Sequence, residues 1–239
     1  MASDQPVLVL GMHRSGTSCL AGCLEAAGLF LGSVNTAAPF NKKGNREPEH
    51  IRDLHDALLE QNGAAWNTPP QGPLDWPTDL LAQLKDRTSE LAEAEHWGVK
   101  DPRSAFSLQG WKRLFSPRFV VSYRHPSAVV SSLVHRSISW KRPMERTDAY
   151  ALWAAYNQRI LDEVAATPVP FIRFGVARAA YAQQLKIICE HLGLNFETAM
   201  SFYDADLDTN SSDTSDMPEA CVTIWNALEQ AGAETLSRR

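Results

Sequence analysis

The stretch Gly11–Ser18 reads Gly-Met-His-Arg-Ser-Gly-Thr-Ser and carries the residue types that bind an anion. It follows the apolar run Val7–Leu10, which is typical of a short buried strand, and an apolar helical pattern comes after it. At such a junction, free backbone N–H groups and the helix dipole both favour an anion. Gly16 permits close approach of the backbone, and Arg14 adds positive charge. We therefore expect an anion site here rather than a tight turn without a ligand.

The spacing of the two glycines is that of a phosphate loop, G-x-x-x-x-G. In nucleoside-triphosphate enzymes a lysine follows the second glycine and contacts the β- and γ-phosphates. Thr17 occupies that position here. The loop is therefore predicted to bind an anion other than the triphosphate of ATP.

A second group of polar residues follows the predicted strand 119–123. Arg124 ends this strand, and Ser132 lies about two turns into the helix that follows. The intervening turn can bring both side chains onto one anion. The alternative is an arginine and a serine that both face solvent.

Lys100–Arg103, which reads Lys-Asp-Pro-Arg, forms a third polar cluster after the predicted strand 96–99. Strands that alternate with helices indicate a parallel sheet, and ligands bind beyond the carboxyl ends of such strands. The sequence therefore predicts an α/β fold, a P-loop-like three-layer sandwich with a central parallel sheet flanked by helices, in one domain over residues 1–239. Further predicted elements are a strand at 169–174 and helices at 80–95, 106–114, from 128, 147–166, 179–192 and 219–231.

Together these motifs resemble the bacterial-type sulfotransferases that use 3′-phosphoadenosine 5′-phosphosulfate (PAPS). Their 5′-phosphosulfate loop often reads R-S-G-T-[ST], and their 3′-phosphate motif follows the pattern R-x-P-x-x-x-x-x-S. The resemblance implies in-line sulfonate transfer to a hydroxyl or amine, release of adenosine 3′,5′-bisphosphate (PAP), and no required metal. The residues that it assigns to the donor are His13, Arg14, Ser15, Gly16, Thr17, Ser18, Arg124 and Ser132.

The catalytic base departs from the family pattern, because cytosolic members of this family carry K-T-H after the strand that corresponds to 96–99. Lys100 matches the lysine and is assigned to charge stabilisation, but Pro102 stands in place of the histidine base. Relatives often show N-x-x-G-x-x-E after the first helix, and the sequence matches this pattern up to Glu47. Glu47 is thus the preferred base, and the helix dipole alone could also explain a carboxylate there. The competing candidates for the base are His50, His55 and Asp101.

Arg103 and Trp140 are candidate contacts to the acceptor. An ordinary salt bridge explains Arg103 equally well. The basic run 135–146 around Trp140 could close over the donor, meet an anionic acceptor or form a solvated face. Trp66 and Trp76 lie in a Pro- and Gly-rich stretch that suggests an aromatic wall of a pocket. A small-molecule, carbohydrate or lipid acceptor would suit such a pocket.

Composition restricts the partners and the compartment. The net charge of −5 argues against a nucleic-acid partner, and 44% apolar residues suit one sizeable domain. The four cysteines have neither metal spacing nor a dense disulfide pattern, which favours buried thiols and a cytoplasmic location. The first apolar run is too short for a signal peptide or a membrane anchor. An Asp- and Ser-rich passage at 204–216 is predicted to be a mobile loop.

Two other functions compete with sulfonate transfer at this stage. A nucleotide kinase or NTPase with a degenerate phosphate loop would bind ATP with magnesium. A non-catalytic nucleotide-binding protein would explain why the usual histidine base is replaced by Pro102.

Overall fold

Four parallel strands form the sheet in the described part of the chain, which comprises residues 4–38, 41, 43–139, 141–204 and 217–237 of a computed structural model. Their order in the sheet is β2-β1-β3-β4, and each neighbouring pair is parallel. The α/β prediction with a central parallel sheet is confirmed. The strands are β1 (Val7–Leu10), β2 (Gly98–Lys100), β3 (Arg118–Tyr123) and β4 (Phe171–Arg173).

Helices connect these strands and cover both faces of the sheet. The helices predicted at 106–114, from 128, at 147–166 and at 179–192 begin and end within about two residues of the predicted boundaries. The helix predicted at 219–231 continues to Ser237. In chain order, the helices in the described ranges are α1 (Thr17–Ala26), α2 (Glu49–Gln61), α3 (Thr78–Arg87), α4 (Ser104–Leu114), α5 (Pro126–Ser139), α6 (Arg146–Val164), α7 (Arg178–Leu192), α8 (Phe196–Ala199) and α9 (Glu219–Ser237).

Side chains along each strand point alternately to the two faces of the sheet, with a period of two residues, and so divide the interior into two apolar cores. Leu8 and Leu10 of β1 pack into the core that lies beneath α2, α4, α5, α6 and α9. Val7 and Val9 pack on the opposite face, against α1 and α7. This division gives the predicted three-layer arrangement.

The registers of the strands bring the three polar clusters to one edge. Val9 of β1 is paired with Lys100, the last residue of β2, and Leu10 is paired with Val121 of β3. The loop that begins at Gly11 therefore lies between Lys100 and Arg124. The sequence-based expectation that these strand ends converge is confirmed.

Two local predictions are wrong. The helix predicted at 80–95 ends at Arg87, because the hydroxyls of Thr88 and Ser89 bond to carbonyls of the last turn and a short 3₁₀ helix follows at Leu91–Glu93. Trp76 does not line a pocket, since it is 4% exposed and packs in the larger core.

Two other predictions lie outside the described residues. The first is the candidate acceptor contact at Trp140. The second is the mobile loop at 204–216, of which Asp204 is the one described residue. Among the helices of the described ranges, none has both the length and the apolar character needed to cross a membrane.

Gly11 allows the loop after β1 to pass close to β3. Its φ of +146° lies in a region that side chains rarely adopt, and a Cβ atom there would lie 2.3 Å from the carbonyl oxygen of Ser122. Any other residue must push the phosphate-type loop away from the edge of the sheet. The first glycine of the motif therefore serves backbone packing.

We expect Gly11→Ala to lower the free energy of unfolding by about 2–4 kcal/mol, because overpacking and backbone strain each cost about 1–3 kcal/mol. Urea unfolding of both proteins measures this difference. Gly72→Ala is the control, since a Cβ atom at Gly72 meets nothing within 4 Å. Equal losses in the two variants would contradict the packing argument.

Candidate functional site

A cavity of about 580 Å³ lies at the polar edge of the sheet. Arg14, Thr17 and Ser18 line it from the loop after β1, and Lys100 lines it from the end of β2. Glu47 reaches it from the segment that precedes α2. The volume is within the range of small-molecule sites. The structure thus brings residues from three distant segments to one cavity.

The loop before α1 leaves the start of this helix open. Gly16 is the N-cap with φ +84°, and no side chain caps the helix. The first helical hydrogen bond runs from the Leu20 N–H to the Gly16 oxygen at 3.0 Å, so the N–H groups of the first turn have no acceptor within the helix. A Cβ atom at Gly16 would lie 2.3 Å from the Phe174 ring. The loop therefore needs glycine here, and the open turn suits an anion.

Basic side chains surround this helix N-terminus. Arg14 Nε donates to Ser132 Oγ at 2.8 Å, and Arg124 Nη1 donates to the Arg14 carbonyl at 3.4 Å. Burial and the nearby charges of Arg136 and Arg124 lower the pKa of Arg14 to about 10. A bound anion would relieve this repulsion.

Ser132 and Arg124 were predicted to share one anion, and in the structure both of them bond to Arg14. Arg124 is 4% exposed, and its guanidinium lies over the Phe174 ring at 5.2 Å. Neither side chain is part of the lining of the 580 Å³ cavity. They lie behind Arg14, on the β3 side of the loop.

Glu47 and Lys100 form a short ion pair inside the cavity. Their Oε1 and Nζ atoms are 2.6 Å apart, and the side chains are 10% and 3% exposed. Lys100 Nζ also donates to the Asn45 carbonyl at 2.9 Å, and Ser18 Oγ donates to the same oxygen at 3.0 Å. The Asn45 carbonyl thus ties the segment before α2 to both β2 and α1. Glu47 lies two residues before this helix and contacts Lys100, so it does not cap the helix.

The N-x-x-G-x-x-E spacing corresponds to a turn that aims Glu47 at Lys100. The Gly44 N–H donates to the Asn41 carbonyl at 2.8 Å, and Gly44 has φ +77°. A Cβ atom at Gly44 would lie 2.2 Å from the Asn35 carbonyl oxygen, which receives the Arg46 N–H at 3.1 Å. Glycine at position 44 therefore allows the two segments of this loop around Asn35 and Gly44 to pack closely.

His55 and Asp101, two of the competing base candidates, are fully buried and bonded to each other at 2.8 Å. Because the Trp111 N–H donates to His55 Nε2 at 3.1 Å, the proton of this imidazole lies on Nδ1 and is donated to Asp101. Arg103 donates to the other oxygen of Asp101 at 2.9 Å and also contacts Asp56. The salt-bridge alternative for Arg103 is thus observed, although Arg103 also lines the cavity.

This buried network controls the charge of Asp101. Burial by itself raises the pKa of this carboxyl group, but the Arg103 guanidinium and the hydrogen bond from His55 outweigh burial. The net effect holds the pKa of Asp101 well below its ordinary value. The Arg103 backbone N–H also donates to Asp101, at 3.1 Å, so an ionised carboxylate with three donors supports the end of β2.

His50 does not line the cavity. Its Nε2 atom lies 3.2 Å from the Arg87 carbonyl, and Arg87 donates back to the His50 carbonyl. These contacts join α2 to the end of α3. Of the base candidates named from the sequence, Glu47 is the one that the structure brings into the cavity.

His13 forms part of the cavity wall. Its ring packs on Trp66 and Tyr156, with ring centres 5.0 and 5.7 Å apart. Burial, followed by the charges of Arg103 and Lys100, lowers its pKa well below the usual 6.5, although Asp101 opposes this shift. His13 is therefore neutral at pH 7. Trp66 provides the aromatic wall that was predicted from this stretch.

Sequence reasoning missed several residues of the cavity. The carbonyl of Asn45 is invisible to motif analysis, because any residue supplies a carbonyl. Leu133, Arg136 and Ser137 are spaced at i, i+3 and i+4 on α5, and that spacing could have indicated a shared face. Arg52 and Asn67 were not assigned either, whereas Arg136, Arg142 and Met144 belong to the basic run 135–146 that the sequence had indicated.

We expect Asp101→Asn to lower the free energy of unfolding by about 3–5 kcal/mol at pH 7, since it leaves Arg103 without its buried counter-charge. The lowered pKa means that the stabilisation by Asp101 is complete above its ordinary value of 3.8 and is lost as the pH falls from there through the folded-state pKa. Urea unfolding at pH 7 measures the loss. Asp53→Asn, at an exposed carboxylate of α2, is the control. Similar stability of D101N and wild type would contradict a structural role.

Comparisons with known proteins identify the family of this chain. A model of the sulfotransferase family matches residues 6–198. The structure is similar to the sulfotransferase domain from the curacin biosynthetic pathway (TM-score 0.60, 17% identity), covering 96% of this chain and 99% of that one. It is also similar to a sulfotransferase from Alicyclobacillus acidocaldarius (TM-score 0.54, 14% identity), covering 98% of this chain and 96% of that one.

A third similar structure is the sulfotransferase domain of the Synechococcus PCC 7002 olefin synthase, with a TM-score of 0.50 and 18% identity over 99% of this chain and 94% of that one. At these identities the structural similarity establishes the fold alone. A sequence comparison with curated proteins finds no significant match. The family match, which spans most of the sequence, carries the assignment. The chain therefore belongs to the sulfotransferase family, whose members are enzymes that use PAPS.

Proposed function

We propose that this protein transfers the sulfonate group of PAPS to a hydroxyl or amine of an acceptor that binds in the 580 Å³ cavity. One observation carries the proposal. An uncapped helix N-terminus surrounded by arginines lies beside a carboxylate–lysine pair in the same cavity. The first feature suits an anionic donor, and the second suits proton transfer next to it.

The donor site is supported by the chemistry of the groups present. The open first turn of α1, the Arg14 guanidinium and the hydroxyls of Thr17 and Ser18 suit a 5′-phosphosulfate. Arg124, with Ser132 on the same side of the loop, suits the 3′-phosphate that distinguishes this donor from ADP and ATP. Ser15 has its carbonyl bonded to the Ser122 hydroxyl at 2.7 Å, which fixes the loop.

PAPS supplies an activated sulfonate when it is bound, and the chain supplies position, charge and a proton acceptor. Lys100 would stabilise negative charge on the oxygen that leaves the sulfonate. Glu47 would take the proton of the acceptor group as that group bonds to sulfur, and PAP would leave. The Lys100 ammonium and the Gly44 turn fix the Glu47 carboxylate, so little reorganisation is needed. We propose that the acceptor is a small molecule, a carbohydrate or a lipid.

Binding of PAP and ADP separates the proposal from a nucleotide kinase. We expect the wild-type protein to prefer PAP by at least about tenfold in calorimetry, because ADP lacks the 3′-phosphate. Arg124→Gln should weaken PAP binding about 10- to 100-fold and ADP binding less, since one charged contact is worth about 1.5–3 kcal/mol. Arg113→Gln is the charge-matched control at an exposed position in the last turn of α4. Magnesium-dependent binding of ADP in preference to PAP would overturn the proposal.

Glu47→Gln tests the proposed base. The amide keeps the shape of the side chain but takes up no proton, so kcat with an acceptor that the wild type sulfonates should fall about 10²- to 10⁴-fold. The affinity for PAP should stay within a few-fold, because Glu47 has no donor contact in the proposal. His50→Gln is the matched control at the competing candidate outside the cavity. Turnover of E47Q close to that of wild type would refute Glu47 as the base, and PAP binding without sulfonate transfer to any acceptor would favour a non-catalytic nucleotide-binding protein.

A further inference from the structure

Arg46, which directly precedes the proposed base, has a backbone conformation that side chains rarely adopt. Its φ is +56°, and a residue other than glycine keeps such a conformation only where its surroundings determine it. The Arg46 N–H donates to the Asn35 carbonyl at 3.1 Å, and the Asn35 N–H donates to the Glu47 carbonyl at 3.4 Å. The backbone of Arg46 and of the base is therefore held by Asn35.

The Arg46 side chain has contacts of three kinds. Its Nε atom donates to the Lys43 carbonyl at 3.1 Å, and its Nη1 atom forms an ion pair with Glu25 of α1. The guanidinium carbon lies 4.8 Å from the centre of the Phe202 ring, which is within the range of a cation–π contact. The side chain is 14% exposed and does not line the cavity. These contacts therefore hold the guanidinium in place outside the cavity.

One face of helix α1 receives this turn. It carries three residues at i, i+4 and i+7, a spacing that puts them on the same side of a helix: Ser18, Gly22 and Glu25. The Ser18 hydroxyl donates to the carbonyl that precedes Arg46, at 3.0 Å, and Glu25 pairs with Arg46 itself. A Cβ atom at Gly22 would lie 2.2 Å from the Phe202 ring, so the glycine leaves room for this ring. The helix that begins at the proposed donor site thus also holds the segment that carries the base.

A second cation of the same turn contacts the same ring. Lys43 Nζ lies 4.8 Å from the centre of the Phe202 ring and donates to the Phe202 carbonyl at 2.6 Å. It also forms an ion pair with Asp204 at 3.7 Å. Phe202 belongs to the segment after α8, so the turn 43–46 is held between this segment and α1.

These contacts bear on the reaction through the position of Glu47. Lys100 contacts the Glu47 carboxylate from the end of β2, whereas Arg46 holds the backbone that carries this side chain. Because α1 begins at the proposed donor site, the ion pair between Arg46 and Glu25 sets the position of the base relative to the donor. A displacement of the reacting groups by about 1 Å can cost about 100-fold in rate.

On the basis of the proposed function, we infer that Arg46 is a positioning residue for the proposed base. It holds Glu47 at a fixed place relative to α1, and it acts through Glu47 without touching the donor or the acceptor. An arginine with a purely stabilising role would affect the amount of folded protein and leave the kcat of the folded protein unchanged. The two roles therefore predict different kinetics.

Arg46→Gln tests the inference. Turnover is measured with radiolabelled PAPS and whichever of 2-naphthol, glucosamine and 1-octanol the wild type sulfonates fastest, at a temperature where circular dichroism shows each variant to be folded. We expect kcat to fall about 10- to 100-fold, because the turn that carries Glu47 loses its fixed position. KM for the acceptor and the affinity for PAP should stay within about threefold, since Arg46 does not line the cavity.

Arg46→Lys and Glu25→Gln keep the inference testable if R46Q does not fold. The lysine keeps a cation that can pair with Glu25 and lie over Phe202, so R46K should restore kcat to within about fivefold of wild type. E25Q removes the charge of the partner at a side chain that is 32% exposed. Its kcat should fall in the same direction as that of R46Q, by about three- to tenfold.

A double-mutant cycle with Glu47 distinguishes a residue that acts through the base from one that acts independently. In the E47Q background the base is already absent, so R46Q should lower the remaining kcat by less than about threefold. An equal loss of kcat in both backgrounds would overturn the inference.

Arg159→Gln is the matched control, because Arg159 has the same three kinds of contact outside the cavity. Its guanidinium donates to the Gly72 carbonyl at 2.9 Å, pairs with Glu163 at 3.9 Å and lies 6.0 Å from the centre of the Phe106 ring. The side chain is 21% exposed. R159Q should keep kcat within about threefold of wild type. A loss as large as that of R46Q would contradict a specific role of Arg46.

Amide hydrogen exchange gives a readout that does not depend on activity. R46Q should raise the exchange rate of the segment 43–47 at least about fivefold, because the contacts that hold this turn are lost, and R159Q should leave it unchanged. Unchanged exchange in R46Q would overturn the inference.

Failure of the inference and failure of the proposed function give different results. A kcat of R46Q within about threefold of wild type, together with a large loss in E47Q, would overturn the inference and leave the proposed function standing. Wild-type turnover by E47Q would refute the base and the inference with it. A wild type that neither binds PAP nor sulfonates an acceptor would overturn the proposed function, and hydrogen exchange would still decide whether Arg46 holds the segment of Glu47.

Discussion

The contact of the Lys100 ammonium with the segment before α2 is the interaction on which the site depends. Lys100 is the last residue of β2, and it holds both the Glu47 carboxylate and the Asn45 carbonyl. The segment it binds is irregular and has no sheet partner of its own. Lys100 forms the 2.6 Å ion pair with Glu47, and removing this lysine would leave a largely buried carboxylate without that partner, which is costly. One side chain thus fixes the position of the proposed base relative to the sheet.

Support for this contact comes from behind the cavity. Asp101 follows Lys100 directly and is fully buried, where it receives bonds from His55 and Arg103. His55 belongs to α2, so the network joins this helix to the end of β2 from a second direction. The segment containing Glu47 lies just before the same helix. The Asp101 carboxylate therefore has a structural role, whereas the Glu47 carboxylate faces the cavity.

Charge is distributed unevenly over the molecule. The chain is acidic overall, yet arginines and a lysine concentrate at the carboxyl edge of the sheet. Burial and the nearby charges of Arg136 and Arg124 lower the pKa of Arg14 to about 10, and a bound anion would offset this repulsion. Helix dipole and guanidinium charge act in the same direction here.

The sequence by itself determined the parallel α/β fold, the glycine-bounded loop after β1 and the convergence of the strand ends that carry Lys100 and Arg124. These features depend on local patterns, since alternation of apolar residues, glycine spacing and strand–helix order are written along the chain. Only the tertiary structure decided that Glu47 reaches the cavity while His50 joins α3, that Trp66 forms a wall while Trp76 enters the core, and that Ser132 contacts Arg14. The physical reason is that the rotation of a helix about its axis and the path of an irregular loop are set by packing against distant segments. The spacing that ends at Glu47 gives a turn, but no spacing within a segment encodes which distant residue its side chains contact.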